Sequence, residues 1–316
     1  MSAPHVSVML APVLAMLQVR PGGRYVDLTL GAGGHSEAIL EASSPGGVLV
    51  GFDRDPRAHE IAGARLARFG DRFVPVRATF DEVGARLAEM GWGEVDGILL
   101  DAGVSSMQLD EAERGFSFRF DAPLDMRMGQ EGVSAGDLID RMDEDALTQI
   151  LREYGEMPGA HRVARALKTD RAKGLLQTTG ELASLCARVI RKEAGRSQTH
   201  PATRVFQALR IAVNDELGQL DRALEQIPGL LAPGGVAAVI SFHSLEDRRV
   251  KRAFRDRVRP KYDRALAGLP MDASSSGSDF VLLKDVEPDA QECEMNPRAR
   301  SARLRGIRRR DEEVKR

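Results

Sequence analysis

The chain has 316 residues, of which 42% are hydrophobic and 29% are charged, and its formal net charge is −2. This composition is that of an ordinary globular protein with a substantial core, in one large or two modest domains. The two cysteines, Cys186 and Cys293, stand far apart and away from histidine, so neither a metal site nor a disulfide framework is expected. Such cysteine usage favours a cytoplasmic protein. No signal peptide and no membrane span is expected, because the apolar run at 8–17 is short, contains Pro12 and follows no Lys or Arg.

Strand-like and helix-like segments alternate through the first hundred residues. The pattern predicts strands at 24–30, 47–52, 72–76 and 95–100, with helices at 35–42, 56–69 and 80–90. Continuously apolar strands separated by helices predict a parallel sheet that is covered on both faces.

From residue 101 to residue 234 the pattern changes and predicts only helices, at 143–154, 160–168, 179–193 and 204–227. A single crossover needs only about a dozen residues, so roughly a hundred are surplus and predict an inserted helical domain. A strand resumes after Pro233, followed by a helix at 245–258 and two strands at 280–286 and 301–307 that would form an antiparallel edge. The expected fold class is α/β. It has a mostly parallel Rossmann-like sheet with an antiparallel last strand, formed by 1–106 and 204–316, and an inserted all-helical domain at 107–203.

The segment VDLTLGAGGHS at 26–36 predicts a strand, a glycine-rich turn and the start of a helix. Gly31, Gly33 and Gly34 would let a ligand approach the backbone at a helix N-terminus. The second strand ends at Asp53, 22 residues beyond Gly31, where an acid typically binds the hydroxyls of a ribose.

This turn fits two cofactors, a dinucleotide such as NAD and S-adenosylmethionine. The dinucleotide fingerprint fails because its third glycine falls at Ser36. The methyltransferase pattern Asp-x-Gly-x-Gly-x-Gly matches at Asp27, Gly31 and Gly33, with Thr29 in place of the first glycine. Asp27 and Asp101 would meet the ammonium group of S-adenosylmethionine, so the methyl donor is the better interpretation. A purely structural role for Asp27, as a buried acid capping the turn, stays open.

Further motifs follow the turn in a fixed order, and together they resemble one known family. They are DLTLGAGGHS at 27–36, DRDP at 53–56, LLDAGVSSMQLD at 99–110, GFSF at 115–118, PLDMRM at 123–128, YGE at 154–156, HPATR at 200–204, SFHSLEDR at 241–248 and NPRARS at 296–301. The set resembles ribosomal RNA small subunit methyltransferase H, the family of S-adenosylmethionine-dependent enzymes that methylate N4 of a cytosine in bacterial 16S rRNA near the decoding region. The resemblance runs from His5 to about residue 305, with departures at Pro12, Ala102 and 157–159 that leave the cofactor set untouched.

The resemblance implies a class I methyltransferase domain and a substrate-recognition role for the inserted domain. It implies 16S rRNA as partner, within an assembled or nearly assembled small ribosomal subunit, while monomer and homodimer both stay open. The cofactor contacts that it implies are Gly33, Gly34, His35, Asp53, Phe80, Asp101 and Gln108.

The exocyclic amine of cytosine is a poor nucleophile because its lone pair is delocalised, so groups that accept its hydrogens would help. Many amino-methyltransferases place Asp/Asn-Pro-Pro-Tyr after the fourth strand, but this sequence reads DAGVSS at 101–106. Candidate catalytic residues are Asp101, Ser105, Ser106 and His243, and for His243 an ordinary hydrogen-bonding role at a strand end stays open. Orientation of the reactants without a strong base is a further alternative. His35 is expected to orient the cofactor, because a helix N-terminus disfavours its charged form.

Other side chains are candidates for contacts with RNA. A base taken out of its stack could be held by Phe116, Phe118 or Phe242, for which core packing is an equal alternative. Arg119, Arg127, Arg204 and the arginines of 298–310 could contact phosphates, with internal ion pairs or a solvated tail as the alternatives. Two other functions stay open, an NAD(P)-dependent oxidoreductase and an RNA-binding assembly factor without turnover.

Overall fold

The computed structural model describes residues 7–105, 108–109, 111–129, 131–190, 200–259 and 278–311. The chain divides into two compact units. The sheet unit comprises the residues up to Gly103 and those from Gly218 onward, and the helical unit is Val104–Leu217. The second boundary lies after Leu217 and not at 203/204, because Val205, Phe206 and other side chains that follow it belong to the core of the helical unit. The expected first boundary, at 106/107, lies outside the described residues.

The sheet unit contains one seven-stranded sheet with the order β3-β2-β1-β4-β5-β7-β6. β1 to β5 run parallel, and β7 is antiparallel to both of its neighbours. This arrangement confirms the predicted fold class. The strands are β1 Arg24–Asp27, β2 Val48–Asp53, β3 Phe73–Arg77, β4 Val95–Asp101, β5 Leu231–Ser241, β6 Phe280–Leu282 and β7 Arg303–Arg309.

Helices connect and cover the strands, and α5 to α9 form most of the helical unit. No helix within the described ranges is long and apolar enough to cross a membrane. In chain order the described helices are α1 Leu10–Leu17, α2 Gly34–Ala42, α3 Pro56–Leu66, α4 Val83–Glu89, α5 Ala135–Arg141, α6 Glu144–Glu153, α7 Ala160–Ala172, α8 Thr179–Val189, α9 Ala202–Asn214, α10 Glu216–Leu230, α11 Ser244–Val258 and α12 Ala290–Met295.

The strand order positions the functional site. β1 lies between β2 and β4, so the chain reverses its direction of progress across the sheet beside β1. Ligands of open α/β sheets bind at such a switch point, outside the carboxyl ends of the strands. The inner strands are almost wholly buried, as their apolar sequences predict, and the polar residues stand where β1, β2 and β4 end, at Asp27, Asp53 and Asp101.

The helical pattern predicted at 204–227 is two helices and not one. Asp215 adopts the left-handed conformation, with φ 49° and ψ 38°, and separates α9 from α10. Arg210 and Glu216 form a two-pronged ion pair across this break, with distances of 2.9 and 3.0 Å. The predicted helix at 80–90 begins with a 3-10 turn at Phe80–Glu82, and α5 was not predicted at all.

The PLDMRM segment of the helical unit is held by one buried side chain, Asn214. Its amide nitrogen donates to the carbonyl of Met126 at 2.7 Å and to that of Arg210 at 2.9 Å. Its oxygen accepts the N–H of Met128 at 2.9 Å. Met126 has a positive φ of 61°, so this segment needs tertiary bonds to keep its path.

Replacing Asn214 with Ala should therefore destabilise the protein by roughly 2–3 kcal/mol, because it leaves buried backbone groups without partners. Gln207→Ala is the matched control, since Gln207 makes one bond, to the carbonyl of Tyr154 at 2.9 Å. Denaturant unfolding of both variants would measure the difference. Equal losses in the two would show that Asn214 does not hold the segment.

Candidate active site

The turn after β1 leaves room for a ligand at one glycine only. A side chain at Gly33, where φ is 78°, would lie 3.1 Å from Cβ of Ala62. One at Gly34 would lie 2.2 Å from the hydroxyl oxygen of Ser7. At Gly31, where φ is 49°, the nearest atom would be the carbonyl oxygen of Thr29 at 3.9 Å. Gly33 and Gly34 thus allow close packing of the protein on itself, and the open side of the turn is at Gly31.

Thr29 ties the turn to the end of β4. Its hydroxyl oxygen accepts the backbone N–H of Asp101 at 2.7 Å, and its own N–H donates to the Asp27 carboxylate at 3.1 Å. The other carboxylate oxygen of Asp27 accepts the hydroxyl of Ser36 at 2.7 Å. The residue that replaces the first glycine of the motif therefore makes a bond that glycine cannot make.

Asp27 is almost fully buried, with 1% of its surface exposed. Burial raises its pKa, while the bonds from Ser36 and Thr29 act in the opposite direction. Both carboxylate oxygens are engaged within the turn. This geometry favours the turn-capping alternative for Asp27 over direct contact with a cofactor.

Asp101 is the most unusual group at this edge of the sheet. Within the described part of the chain, its Oδ1 is buried and has no hydrogen-bond partner. Its other oxygen lies 3.8 Å from Nδ1 of His35. Burial, followed by the nearby carboxylates of Asp27 and Glu246, raises the pKa of Asp101 well above its ordinary value. A carboxylate in this position is ready to accept a cationic ligand.

His35 lies in the first turn of α2 with 6% of its surface exposed. Its Nε2 lies 2.9 Å from the carbonyl oxygen of Val8, so it donates there and Nδ1 is directed toward Asp101. The ring is therefore fixed by the segment before α1. A ring that is fixed at Nε2 and faces Asp101 with Nδ1 suits the orienting role expected from the sequence, which stays a prediction.

Asp53 ends β2 and accepts two backbone hydrogen bonds, from Gly31 and from Asp55, both at 2.9 Å. Burial raises its pKa. The bond to Gly31 sets this carboxylate beside the open side of the turn, and its role as a ribose ligand stays a prediction. Phe80 is partly exposed after β3, the neighbour of β2, in a turn closed by the reciprocal bonds of Thr79 and Glu82.

His243 caps α11. Its Nδ1 accepts the N–H of Glu246 at 3.4 Å, while its Nε2 approaches the Glu246 carboxylate at 3.1 Å without the geometry of a hydrogen bond. Glu246 is buried and also accepts the N–H groups of Phe242 and His243. His243 is thus placed as the cap of α11, which favours the hydrogen-bonding alternative over proton transfer.

Two expected residues belong to the helical unit, Ser105 and Gln108. The N–H of Ser105 donates to the side-chain oxygen of Gln108 at 3.0 Å, and the N–H of Gln108 donates to the Ser105 hydroxyl at 3.3 Å. This reciprocal pair fixes the turn that follows β4. Ser106 lies outside the described residues.

The aromatic candidates for base contact are mostly packed inside the protein. Phe116 is buried in the core of the helical unit. Phe118 stacks on His200, with ring centres 4.8 Å apart, and contacts Phe206 edge-on at 5.3 Å. Phe242 is partly buried against the core of the sheet unit. Core packing therefore accounts for the GFSF motif and for the histidine of HPATR.

The arginine strip at 298–310 is largely strand β7, and several of its members are already neutralised. Arg303 pairs with Glu287 and Arg309 with Glu94. Arg305 pairs with Asp247 at 2.7 Å and also with Asp285.

Two further arginine candidates lie in the helical unit. Arg127 pairs with Asp125 at 2.7 Å, and Arg204 donates to the carbonyl of Glu156 at 3.3 Å. The structure therefore favours internal ion pairs, the alternative left open, for Arg127 and for the three paired arginines of β7, while Arg204 bonds to a backbone carbonyl.

No group of three or more His, Cys, Asp or Glu in the described ranges is arranged to hold a metal ion. Three features together define a class, the S-adenosylmethionine-dependent methyltransferases. They are a parallel sheet with a reversed β7, a glycine-rich turn after β1, and acids at the ends of β1, β2 and β4. The unpartnered Oδ1 of Asp101 and the open side of the turn fit that cofactor. The match to the model of the MraW methylase family over residues 2–310 shows that the chain belongs to this family.

Relatives with known names cover nearly the whole chain. The ribosomal RNA small subunit methyltransferase H of Geobacter sulfurreducens is 52% identical over 312 residues, which are 96% of this chain and 98% of that protein. The protein of the same name from Anaeromyxobacter sp. strain K is 50% identical over 305 residues, covering 96% and 97%. The crystal structure of an rRNA methylase from Streptococcus thermophilus aligns with a TM-score of 0.43 at 10% identity, over 98% of this chain and 100% of that chain. The chain is therefore also a member of the family of ribosomal RNA small subunit methyltransferase H, as these two relatives show.

Thr29→Val should weaken S-adenosylmethionine binding about tenfold, or about 1.4 kcal/mol, because the end of β4 loses the acceptor that positions Asp101. Thr29→Ser keeps the hydroxyl and should bind nearly as the wild type does. Isothermal titration calorimetry measures both. Equal affinity in Thr29→Val and wild type would contradict a positioning role.

Asp101→Asn should stabilise the folded protein while weakening the cofactor site. Because the folded pKa of Asp101 is raised, the folded state keeps a proton that the unfolded state releases above pH of about 3.9. Stability therefore falls as pH rises from there to the folded pKa, and the penalty remains above it. We expect the variant to gain roughly 1 kcal/mol at pH 7 and the gain to vanish near pH of about 4.

Thermal unfolding against pH measures this difference, with the exposed Asp71→Asn as the control that should change little. An Asp101→Asn variant that is less stable than wild type at neutral pH would contradict this expectation, because it would show that the ionised carboxylate does not destabilise the folded protein.

Proposed function

We propose that the protein transfers a methyl group from S-adenosylmethionine to the N4 amine of a specific cytosine in 16S rRNA, near the decoding region. The buried, unpartnered oxygen of Asp101 at the end of β4 is the observation that carries the methyl-donor site. Membership of an rRNA methylase family supports the RNA substrate, and the names of the relatives support the small subunit. The N4 position rests on the resemblance of the motifs.

In this proposal the cofactor lies across the ends of β4, β1 and β2. Asp101 receives the methionine ammonium, with His35 holding the carboxylate in orientation at 3.8 Å. Asp53 accepts the ribose hydroxyls beside Gly31, and Phe80 stacks on the adenine. Gln108 contacts the methionine part. Gly33 and Gly34 contribute by letting α2 approach α3 and the segment before α1. When bound, the cofactor supplies an electrophilic methyl group on a sulfonium centre.

The transfer itself relies mainly on orientation. Placing the amine in line with the methyl group removes most of the entropy cost, and the N4 proton becomes acidic once the new bond forms. Among the residues named for proton transfer, His243 is engaged as a helix cap and Asp101 faces the cofactor. Among the described candidates, the hydroxyl of Ser105 is left for accepting an amine hydrogen, although it already accepts the N–H of Gln108.

The helical unit is proposed to recognise the substrate, an assembled or nearly assembled small ribosomal subunit in the cytoplasm. Methylation of purified subunits and of free 16S rRNA from a strain that lacks the enzyme, followed by nuclease digestion and mass spectrometry, tests the proposal. N4-methylcytidine at one position, formed by wild type and lost in Asp101→Asn, is the expected result. Methylation at carbon 5, or at a base other than cytosine, would contradict the assignment of the N4 position.

A further inference from the structure

Helix α11 carries a concentration of positive charge that the cofactor site does not use. Between residues 244 and 259 there are seven Lys or Arg residues and three acids. The acids are already engaged. Glu246 is buried at the helix N-terminus. The carboxylate of Asp247 accepts two hydrogen bonds from the Arg305 guanidinium, from Nε at 2.7 Å and from Nη2 at 3.1 Å. Asp256 lies 3.7 Å from both Arg252 and Arg259 and offsets one of these charges.

The cations separate into two sets by their position around the helix. Arg249 and Arg257 are directed toward α10, where they bind the carboxylate of Asp221 and the carbonyl of Glu225, each at 3.1 Å. The remaining five recur at helical spacing and so lie along one side of α11. We call them the cationic stripe: Arg248, Lys251, Arg252, Arg255 and Arg259.

The cationic stripe is open to solvent. The side chains of Arg252 and Arg259 are 85% and 67% exposed. Lys251 and Arg255 are exposed too, and neither side chain makes a hydrogen bond or an ion pair with any residue in the described ranges. Unlike Arg303, Arg305 and Arg309 of β7, Lys251 and Arg255 keep their side-chain donors available for an external anion.

A pocket of about 150 Å³ opens on the same side of the helix. Lys251 and Arg255 line one wall, Phe254 and Leu282 give it apolar surface, and Arg305 lies at its far side. Its one acid, Asp285, is paired with Arg305. The pocket thus offers cationic donors in a concave site large enough for a phosphate group.

The position of α11 connects this surface to the candidate active site. The helix begins directly after β5, whose neighbour β4 ends at Asp101, and its fifteen residues extend about 22 Å from there. The apolar side of α11, formed by Leu245, Val250 and Phe254, is buried in the sheet unit. A membrane surface would need that apolar side exposed, so the arrangement does not suit lipid.

We propose that the cationic stripe binds the phosphate backbone of the RNA substrate and leads it toward the ends of β4 and β5. This inference rests on the proposed RNA substrate and adds the surface that holds it. The contacts are to phosphates and so carry little sequence information; they fix the position of the strand from which the target base is taken.

The test compares two triple variants with the same change in net charge. Lys251→Gln/Arg252→Gln/Arg255→Gln removes the centre of the stripe. The second variant, Arg65→Gln/Arg68→Gln/Arg86→Gln, removes cations that are paired with acids, from α3, from the 3-10 turn after it and from α4. Binding of wild type and both variants to a 16S rRNA fragment is measured by fluorescence anisotropy over a salt series. Each lost phosphate contact should flatten the slope of log affinity against log salt by about 0.7–0.9.

We expect the stripe variant to have a slope flatter by roughly two units and at least a tenfold higher KM for RNA. Its kcat and its affinity for S-adenosylmethionine should stay at the wild-type values, and the control variant should match wild type throughout. A stripe variant with the wild-type slope, or a control variant with the same loss, would overturn the inference. Wild-type RNA binding that depends on the stripe but yields no N4-methylcytidine would leave this surface standing and contradict the proposed function instead.

Discussion

The hydrogen bond from the backbone of Asp101 to the hydroxyl of Thr29 joins the two strands on which the site depends. β1 and β4 are neighbours at the switch point of the sheet, and their loops diverge beyond it. The pairing of β1 with β4 continues in the bond from the Leu28 N–H to the Leu99 carbonyl at 2.8 Å, and the Thr29 hydroxyl extends it to the end of β4, where it sets the Asp101 backbone beside the turn. The pKa of Asp101 is raised first by the burial of its carboxyl group and then by the nearby carboxylate of Asp27. The proposed site for the methionine ammonium is thus built at some cost to the stability of the empty protein, because burying an ionised Asp101 is unfavourable.

The sequence predicted the sheet, its reversed last strand and the inserted helices, since apolar strands and amphipathic helices have different periods. It did not show the break at Asp215, because the apolar spacing continues through it and only the left-handed backbone interrupts the helix. It also did not show the role of Thr29, which differs from the expected glycine and therefore read as a defect of the motif. A hydroxyl that bonds a residue 72 positions away leaves no local signal.

The sequence did not predict which charged side chains are paired, since composition does not say which cations have acidic partners. The arginines of 298–310 formed the denser run, yet Arg303, Arg305 and Arg309 are paired with acids from distant segments. The run in α11 has open donors, and its helical spacing was present in the sequence. Aromatic candidates behaved similarly, because GFSF and HPATR are far apart in the chain but Phe118 and His200 stack on each other.

The central claim is that Asp101, held by Thr29, receives the positively charged end of the methyl donor. The crystal structure of the protein with S-adenosylmethionine measures this most directly. The account predicts a hydrogen bond between the methionine ammonium and Oδ1 of Asp101, with the ribose hydroxyls on Asp53. An ammonium bound elsewhere, with Oδ1 of Asp101 still unpartnered, would contradict it.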